Sequence, residues 1–175
     1  MVTPAVPTID AGEQRWYAVR TRSRFEAVTA AALRDKGYVE FLPIWRSRRQ
    51  WSDRVKEIDL PLFPGYVFCR FSARDPYSVL NSPGVVHIVS VGARPIPVED
   101  REIESVRSIC AAGIPAFPWN NVVAGQRLMV VRGPLKGVEG TLISVKDQYR
   151  LVVSISLLQR SVSAELQRDW ITAAC

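Results

Sequence analysis

A break in the sequence pattern at residues 110–123 limits what this chain can fold into. The segment reads Cys-Ala-Ala-Gly-Ile-Pro-Ala-Phe-Pro-Trp-Asn-Asn-Val-Val, and its prolines, glycine and asparagines stop both helices and strands. Before the break, helical and strand-like patterns alternate, whereas the residues after it are strand-like throughout. We therefore predict two domains, 15–109 and 124–175, joined by a linker at 110–123 and preceded by a flexible tail at 1–14.

The first domain shows a mixed α+β pattern. Ser23-Arg24-Phe25-Glu26 has the form of a capping box, in which the Ser and Glu side chains satisfy free amides at the start of a helix. A second amphipathic helix is predicted at 99–109, with Ile103, Val106 and Ile109 on one face. Strands are predicted at 15–21, 66–71 and 85–91, a basic hairpin at 38–60 and a short helix at 75–81. The order β-α-β-β-α-β predicts a ferredoxin-like antiparallel sheet with helices on one side.

The second domain is predicted to be all β. Short strands are expected at 126–131, 137–145, 149–155, 161–166 and 170–172, separated by turns at Gly133-Pro134 and Lys146-Asp147. Five short strands in so few residues favour a small SH3-like barrel.

The charge balance indicates an anionic partner. The chain has 23 Lys and Arg against 17 Asp and Glu, a net charge of +6, and all but four of the cations are arginine. Arginine presents a planar fork of donors that suits phosphate, so nucleic acid is the first candidate. The alternative is a soluble basic protein with no anionic partner. Because the chain shows no signal peptide or membrane-spanning run and its three cysteines are far apart, we expect a cytoplasmic protein with reduced thiols and no membrane partner.

Catalysis finds little support in the sequence. The single histidine, His87, lies in an apolar strand, and no nucleotide-binding, metalloprotease or nucleophile-elbow motif occurs. The acidic residues between 99 and 104 suit the first turn of a helix better than a metal site. We therefore predict no catalytic residues, no metal site, no cofactor and no enzymatic activity.

The segment Gly65-Tyr66-Val67-Phe68-Cys69-Arg70-Phe71 partly matches an RNA-recognition signature. Alternation along a strand places Tyr66, Phe68 and Arg70 on one face and Val67, Cys69 and Phe71 on the other. If the first face is open, its aromatic rings could stack on bases or receive an apolar partner helix. The alternative is a strand that is buried on both faces.

Two basic clusters accompany this strand. The first contains Arg15, Arg20, Arg22 and Arg24, of which Arg22 and Arg24 lie at the turn into the first helix. The second, on the predicted hairpin, contains Arg46, Arg48, Arg49, Arg54 and Lys56, together with Trp45 and Trp51. Basic clusters that alternate with aromatic residues are typical of phosphate contacts, and the alternative is a solvated face.

Several of these motifs resemble those of one family. Trp16-Tyr17-Ala18-Val19, the capped helix, Phe63-Pro64-Gly65-Tyr66-Val67-Phe68 and Ser82-Pro83-Gly84-Val85 resemble the amino-terminal (NGN) domain of NusG-type transcription elongation factors. The stretch from Gly125 to Gly140, with Val130-Val131-Arg132-Gly133-Pro134-Leu135-Lys136-Gly137 at its centre, resembles their KOW motif. The ending Leu157-Leu158-Gln159-Arg160-Ser161-Val162 is similar to specialised paralogues of the UpxY/RfaH kind.

The resemblance implies a protein that binds RNA polymerase and suppresses pausing or termination. At the positions of the family's apolar pocket for the clamp coiled coil stand Phe63, Tyr66, Phe68, Ile103 and Val106. Tyr77 and Ser78 match the contact to the opposite lobe of the polymerase, and Arg22 and Arg24 match positions that touch the non-template DNA strand in specialised members. Leu157, Leu158 and Arg160 match the KOW loop that relatives offer to a termination factor or a ribosomal protein.

Two further expectations complete this interpretation. The competing function is an RNA-binding or ribosome-associated module that uses the same aromatic sheet face. We also expect a monomer in which the barrel is independent of the first domain, so that the apolar pocket is open. β-Branched residues at 127–131 and 151–155 favour strands over a helical form of the second domain.

Overall fold

The computed structural model describes residues 13–51, 54–119 and 125–171; the expected flexible tail at 1–14 lies almost entirely outside these residues. Within the described part of the chain, no helix is long and apolar enough to cross a membrane. The chain forms an α+β unit followed by an all-β unit, as predicted. The division into domains at 15–109 and 124–175, with a linker at 110–123, stays a prediction.

The first unit contains three helices and nine strands among its described residues. In chain order they are β1 (Gln14–Thr21), α1 (Glu26–Asp35), β2 (Val39–Phe41), β3 (Ile44–Trp51), β4 (Arg54–Pro61), β5 (Tyr66–Ser72), α2 (Tyr77–Leu80), β6 (Val85–Ile88), β7 (Ser90–Val91), β8 (Arg94–Pro95), β9 (Pro97–Val98) and α3 (Asp100–Ala111). The main sheet has the order β2-β5-β1-β6, with β9 also paired to β1, and all of its pairs are antiparallel. Strands β3 and β4 form a separate two-stranded ribbon.

Both faces of the main sheet are covered. Tyr17, Val67 and Cys69 on one face are buried with Leu33 of α1, and Ala18 and Phe68 on the other face are buried with Ile103 and Val106 of α3. The predicted alternation along β5 is thus confirmed. The prediction of helices on one side is wrong, because apolar residues line both faces of β1 and β5 and each face needs a cover.

The predicted capping box does not form at the start of α1. Helix α1 begins at Glu26, and no side chain caps it. The buried carboxylate of Glu26 instead accepts a hydrogen bond of 2.8 Å from the backbone N–H of Gly65, just before β5. Arg24 has φ +66°, which places the turn in the left-handed region. The acid therefore ties the helix to the sheet instead of closing its own first turn.

The second unit is a five-stranded antiparallel sheet with the order β10-β14-β13-β12-β11. Its strands are β10 (Ala116–Trp119), β11 (Gln126–Met129), β12 (Glu139–Val145), β13 (Gln148–Ile155) and β14 (Arg160–Leu166). The fifth strand, β10, comes from the segment expected to be a linker, and it pairs with β14. The strand predicted at 170–172 is wrong, because Arg168–Trp170 forms a 3₁₀ turn.

The KOW-like turn at Gly133 packs closely against this 3₁₀ turn. Gly133 has φ +80°, and a Cβ at this position would collide with the Trp170 indole. The N–H of Val131, just after β11, donates to the carbonyl of Trp170 over 3.2 Å. This hydrogen bond holds the 3₁₀ turn that follows β14 against the end of β11. The glycine is required here both by its backbone conformation and by the closeness of the ring.

The two units are not independent. Phe63, Phe68 and Ile103 of the first unit belong to the same apolar cluster as Leu151 and Ile155 of β13. The expectation of an independent barrel with an open pocket is therefore wrong for this structure. Apolar residues of α3 and β13 gain burial by packing together, which local sequence patterns do not reveal.

Candidate functional site

The candidate site is centred on Tyr66, at the first residue of β5. Its half-buried ring lies between two guanidinium groups, with the Arg20 Cζ 4.8 Å and the Arg160 Cζ 5.2 Å from the ring centroid. Both distances are in the range of cation–π interactions. Arg20 belongs to β1 of the first unit, whereas Arg160 begins β14 of the second, so the ring joins the two units.

The chain turn before Tyr66 is shaped to receive these arginines. Gly65 has φ +83°, and a Cβ there would collide with the guanidinium of Arg20. The Arg160 side chain donates a hydrogen bond of 3.0 Å from Nη1 to the carbonyl oxygen of Pro64. The Pro64-Gly65-Tyr66 turn is therefore held from the sheet by Arg20 and from the second unit by Arg160.

Beneath Tyr66 lies a fully buried aromatic pair. The rings of Phe63 and Phe68 meet edge to face, with centroids 5.5 Å apart, and Phe41 stacks on Phe68 with centroids 6.3 Å apart. Phe63 and Phe68, with Ile103 and Val106 of α3, have no exposed surface. Of the five residues predicted to form the apolar pocket, only Tyr66 therefore reaches solvent in this arrangement.

The second unit covers this region with the loop that precedes β14. Ser156–Leu158 forms a 3₁₀ turn, and the half-buried Leu157 and Leu158 pack against the shared apolar cluster. Glu102 of α3 accepts hydrogen bonds from the Ser156 hydroxyl over 2.6 Å and from the Ser156 N–H over 3.2 Å. The predicted partner loop and the predicted pocket thus lie against each other.

A second contact joins the base of the ribbon to the second unit. The indole of Trp45 in β3 meets the ring of Phe117 in β10 edge on, with centroids 5.5 Å apart. The Arg150 guanidinium lies over the same Phe117 ring at 5.6 Å from its centroid.

The remaining predicted site residues lie outside the apolar cluster, in two separate segments, and the turn that carries Arg22 adjoins Gly65 through a 2.9 Å hydrogen bond from the Thr21 N–H to the Gly65 carbonyl. Arg22 and Arg24 are exposed at the turn between β1 and α1, and neither forms an ion pair with another described residue. Tyr77 begins α2 with 73% of its surface exposed, while the Ser78 carbonyl accepts a hydrogen bond of 2.7 Å from Lys36 Nζ. None of these four residues therefore belongs to the apolar cluster.

Sequence reasoning missed three residues that build the site. Arg20 was predicted to belong to a charge cluster and to stand at an edge of the family's pocket, but not to contact Tyr66; Glu102 was predicted only as an acid in a helical first turn, and Ser156 was not singled out. Each acts through a partner on another element, so no local pattern identifies it. The one available signal in the sequence was Gly65, because a glycine beside a strand often marks a position where another segment or side chain approaches the backbone closely.

Two thiols in the described part of the chain have altered acidity. Burial raises the pKa of the Cys69 thiol from 9.0 to about 12, and burial also raises the pKa of Cys110. Both therefore remain protonated at neutral pH and are poor nucleophiles. Among the described residues, no group of three His, Cys, Asp or Glu side chains has an arrangement that could hold a metal ion.

Comparison with known proteins decides the family. Residues 14–107, which are more than half of the chain and span β1 to α3, match the family model described as transcription termination factor nusG. The chain belongs to the NusG family. Members of the NusG family are transcription factors rather than enzymes, and the predicted assignment to transcription termination and antitermination agrees with this family.

Relatives of the NusG family match over nearly the whole chain. The transcription termination/antitermination protein NusG of Staphylococcus carnosus is 23% identical over 177 residues, covering 93% of this chain and 97% of that protein. The NusG of the same description from Thermus thermophilus is 24% identical over 180 residues, covering 91% and 98%. Both units of the chain thus have counterparts in these NusG proteins.

A solved structure supports the fold. The structure described as the domain interaction in Thermotoga maritima NusG aligns with a TM-score of 0.56 and 22% identity, covering 91% of this chain and 97% of that one. The NusG-type fold, an NGN domain followed by a small SH3-like β domain, is therefore confirmed.

Proposed function

We propose that this NusG-family chain binds RNA polymerase in the elongation complex and suppresses pausing or termination. The observation that carries the proposal is the apolar cluster beneath Tyr66, to which the chain's own second unit contributes residues of β13 and of the loop before β14. If that unit moves away, the surface shared with β13 becomes an exposed apolar patch. Such a patch suits the apolar face of a partner helix, here the clamp coiled coil of the polymerase.

In this proposal Tyr66 contacts the clamp and Phe63, Phe68, Ile103 and Val106 form the floor of its pocket. When the second unit moves away, this pocket floor is expected to become accessible, and packing between α3 and the main sheet is expected to keep the floor residues in place. Besides the shared apolar cluster and the contact between Trp45 and Phe117, the described polar links between the units are few, namely those of Arg160 and Glu102. Links of this kind permit relative motion of domains. Polymerase binding then selects the open form.

The same opening frees the second proposed surface. Leu157, Leu158 and Arg160 are engaged with the first unit in this structure. We propose that they bind a termination factor or a ribosomal protein once the polymerase has displaced them. One movement thus makes both surfaces available, and neither partner is expected to bind the closed form well.

Two exposed segments complete the proposed polymerase contacts. Tyr77 and Ser78 contact the opposite lobe, a role supported by the large exposed area of the Tyr77 ring beside a short helix. Arg22 and Arg24 contact the non-template DNA strand, a role supported by their exposure and by their lack of acidic partners among the described residues.

We also propose that the chain is a specialised paralogue of the UpxY/RfaH kind. The sequence from Leu157 to Val162, which includes Arg160 at the unit contact, supports this proposal. A specialised factor acts on few transcription units, whereas a housekeeping factor acts on most. Genome-wide transcription profiles of a strain lacking the protein would distinguish them: changes confined to one or a few operons are expected, and a global change would contradict the specialisation.

The polymerase proposal is tested by binding to a purified clamp coiled-coil fragment. Arg160→Ala removes the cation–π and hydrogen-bond contacts of the closed form, so more molecules are open and the apparent Kd for the fragment should fall. Arg168→Ala removes an equal charge from an exposed site on the same unit and should leave the Kd unchanged. Tyr66→Ala should weaken binding by about 2 kcal/mol or more, as for buried aromatic anchors.

The outcomes separate the proposal from its competitor. If neither the native chain nor Arg160→Ala binds the clamp fragment, polymerase binding through this surface is wrong. If the chain instead binds single-stranded RNA and Tyr66→Ala abolishes that binding, the sheet face is an RNA platform.

A further inference from the structure

The turn that precedes β5 satisfies most of its backbone polar groups within the first unit. The N–H of Tyr66 donates to the carbonyl of Phe63 over 3.1 Å, and the N–H of Thr21 donates to the carbonyl of Gly65 over 2.9 Å. The N–H of Gly65 donates to the carboxylate of Glu26. A proline and a glycine stand at the centre of the turn, and the Gly65 φ of +83° is that of a type II turn. One backbone acceptor of this turn has no such partner in the first unit.

That acceptor is the carbonyl oxygen of Pro64. Among the described residues, its one hydrogen-bond donor is Nη1 of Arg160 at 3.0 Å, and Arg160 belongs to β14 of the second unit. The same guanidinium lies over the half-buried Tyr66 ring, with Cζ 5.2 Å from the ring centroid. A carbonyl oxygen and the face of an aromatic ring both attract a cation with N–H donors. The turn therefore carries a small cation site, and the chain's own Arg160 occupies it.

The parts that hold this site in shape all belong to the first unit. Glu26 of α1 and Thr21 of β1 fix Gly65 from two sides, and a proline restricts the turn further. Arg20 of β1 supports the Tyr66 ring, with Cζ 4.8 Å from its centroid. When the second unit moves away in the proposed open form, the ring and the free carbonyl oxygen are therefore expected to stay in place. A site that is already ordered loses little entropy when it binds a new ligand.

We propose that the partner helix of the polymerase clamp places a basic side chain, arginine or lysine, where Arg160 lies in the closed form. This inference rests on the proposed function and adds the chemistry of one contact to it. Arg160 shows which ligand the site accepts, because it binds there beside Arg20 despite their like charge. An apolar side chain over the ring would leave the Pro64 carbonyl without a donor, whereas a guanidinium or ammonium group serves both. The partner thus takes over the contacts of Arg160.

The test is a double-mutant cycle between the full chain and a purified clamp coiled-coil fragment, with affinities measured by calorimetry. In the fragment, each Arg and Lys is replaced in turn by Gln, which removes the charge and keeps a polar side chain. The chains are the native one, Arg160→Ala, Tyr66→Leu, Tyr66→Phe and a control, Tyr38→Leu, whose ring is half-buried against the α1 side of the main sheet. Opening of a given chain is the same for every fragment, so it cancels from the cycle.

One Gln variant of the fragment should bind the native chain about 2- to 30-fold more weakly, the range of a cation over an aromatic ring. The same loss should appear with Arg160→Ala, Tyr66→Phe and Tyr38→Leu, and it should disappear with Tyr66→Leu, which removes the ring. NMR spectroscopy gives a second measurement that needs no variant of the chain. In a fragment labelled at Arg and Lys, the side-chain protons of that one residue should shift upfield on binding, because they lie over the Tyr66 ring.

Failure of this inference is distinguishable from failure of the function on which it rests. If neither the native chain nor Arg160→Ala binds the fragment, the proposed function is wrong and the inference falls with it. If both chains bind and every Gln variant binds as tightly as the unmodified fragment, the inference alone is wrong. An equal loss with Tyr66→Leu would also overturn it, since the basic residue then contacts another part of the chain. So would the absence of any upfield shift in the labelled fragment.

Discussion

At the scale of single residues, Tyr66 connects the two halves of the molecule. Its ring receives Arg20 from its own sheet and Arg160 from the second unit, and each guanidinium contributes about 0.5–2 kcal/mol depending on its exposure. The neighbouring Phe68 has a different role because it is fully buried between the sheet and α3. In this closed arrangement, two aromatic residues on one strand face therefore differ: the Tyr66 ring links the two units, and the Phe68 ring is buried in the core.

This difference predicts unequal effects of truncation on stability. Phe68→Ala should lower the free energy of unfolding by about 3–5 kcal/mol, because it leaves a cavity beside Phe63 and Phe41. Tyr66→Ala should cost less than about 2 kcal/mol, because the ring is half exposed. Urea denaturation followed by tryptophan fluorescence measures both. Equal losses would show that Tyr66 belongs to the core as well.

The buried thiol of Cys69 gives a second prediction at this scale. Because its pKa is about 12, almost none of it is thiolate at pH 8, and a folded chain should shield it from alkylation. Iodoacetamide labelling at pH 8, with peptide mass mapping, should leave Cys69 unmodified in the folded chain and modify it in 8 M urea. Rapid labelling of Cys69 without denaturant would contradict its burial. The same shift means that the stability due to this thiol falls as pH rises from about 9 to 12, since the unfolded thiol ionises first.

At the scale of elements, α1 is attached to the sheet by one buried carboxylate. Glu26 lies in the first turn of α1 and accepts from the N–H of Gly65 before β5, two elements that are distant in the sequence. A hydrogen bond to a charged group contributes about 1.5–3 kcal/mol, and a buried donor without a partner is costly. The link also fixes the turn on which Tyr66 depends.

Substitution of Glu26 tests this link. Glu26→Ala should reduce the free energy of unfolding by about 2–3 kcal/mol and should speed amide exchange at Gly65, because its N–H loses its acceptor. Glu26→Gln keeps an acceptor oxygen and should lose less on both measures. If exchange at Gly65 is equally slow in all three chains, the carboxylate is not the partner of that amide in solution.

At the scale of the whole molecule, two units that each have a recognisable fold are held in one closed arrangement. Apolar residues of α3 and β13 share a cluster, and a small number of polar contacts from Glu102 and Arg160 set the orientation. An apolar contact of this kind is not directional, so the polar contacts select one arrangement among several. Removal of these contacts should therefore open the molecule without unfolding either unit.

Small-angle X-ray scattering tests this expectation. The double variant E102A/R160A should have a larger radius of gyration than the native chain, while its circular dichroism stays the same. As a control, E139A/R168A removes the same two residue types from exposed positions on the second unit and should keep the native dimensions. An unchanged radius in E102A/R160A would mean that apolar packing alone holds the units together.

The sequence by itself determined the local features of this protein. The apolar spacing at Ile103, Val106 and Ile109 predicted α3, and alternation from Tyr66 to Phe71 predicted both faces of β5. Helical and strand periods are properties of a single element, so they are readable without knowledge of its neighbours. The family motifs were readable for the same reason, because each is a contiguous stretch of the chain.

Only the tertiary structure decided which element each of these faces meets. It placed helices on both sides of the main sheet, gave Glu26 the Gly65 amide instead of a capping role, and added Ala116–Trp119 to the second sheet. It also covered Tyr66 with Arg160. Each of these outcomes joins residues that are far apart in the chain, and the energy of burial and hydrogen bonding depends on such pairs. A local pattern can show that a surface needs a cover, but it does not specify which part of the chain supplies it.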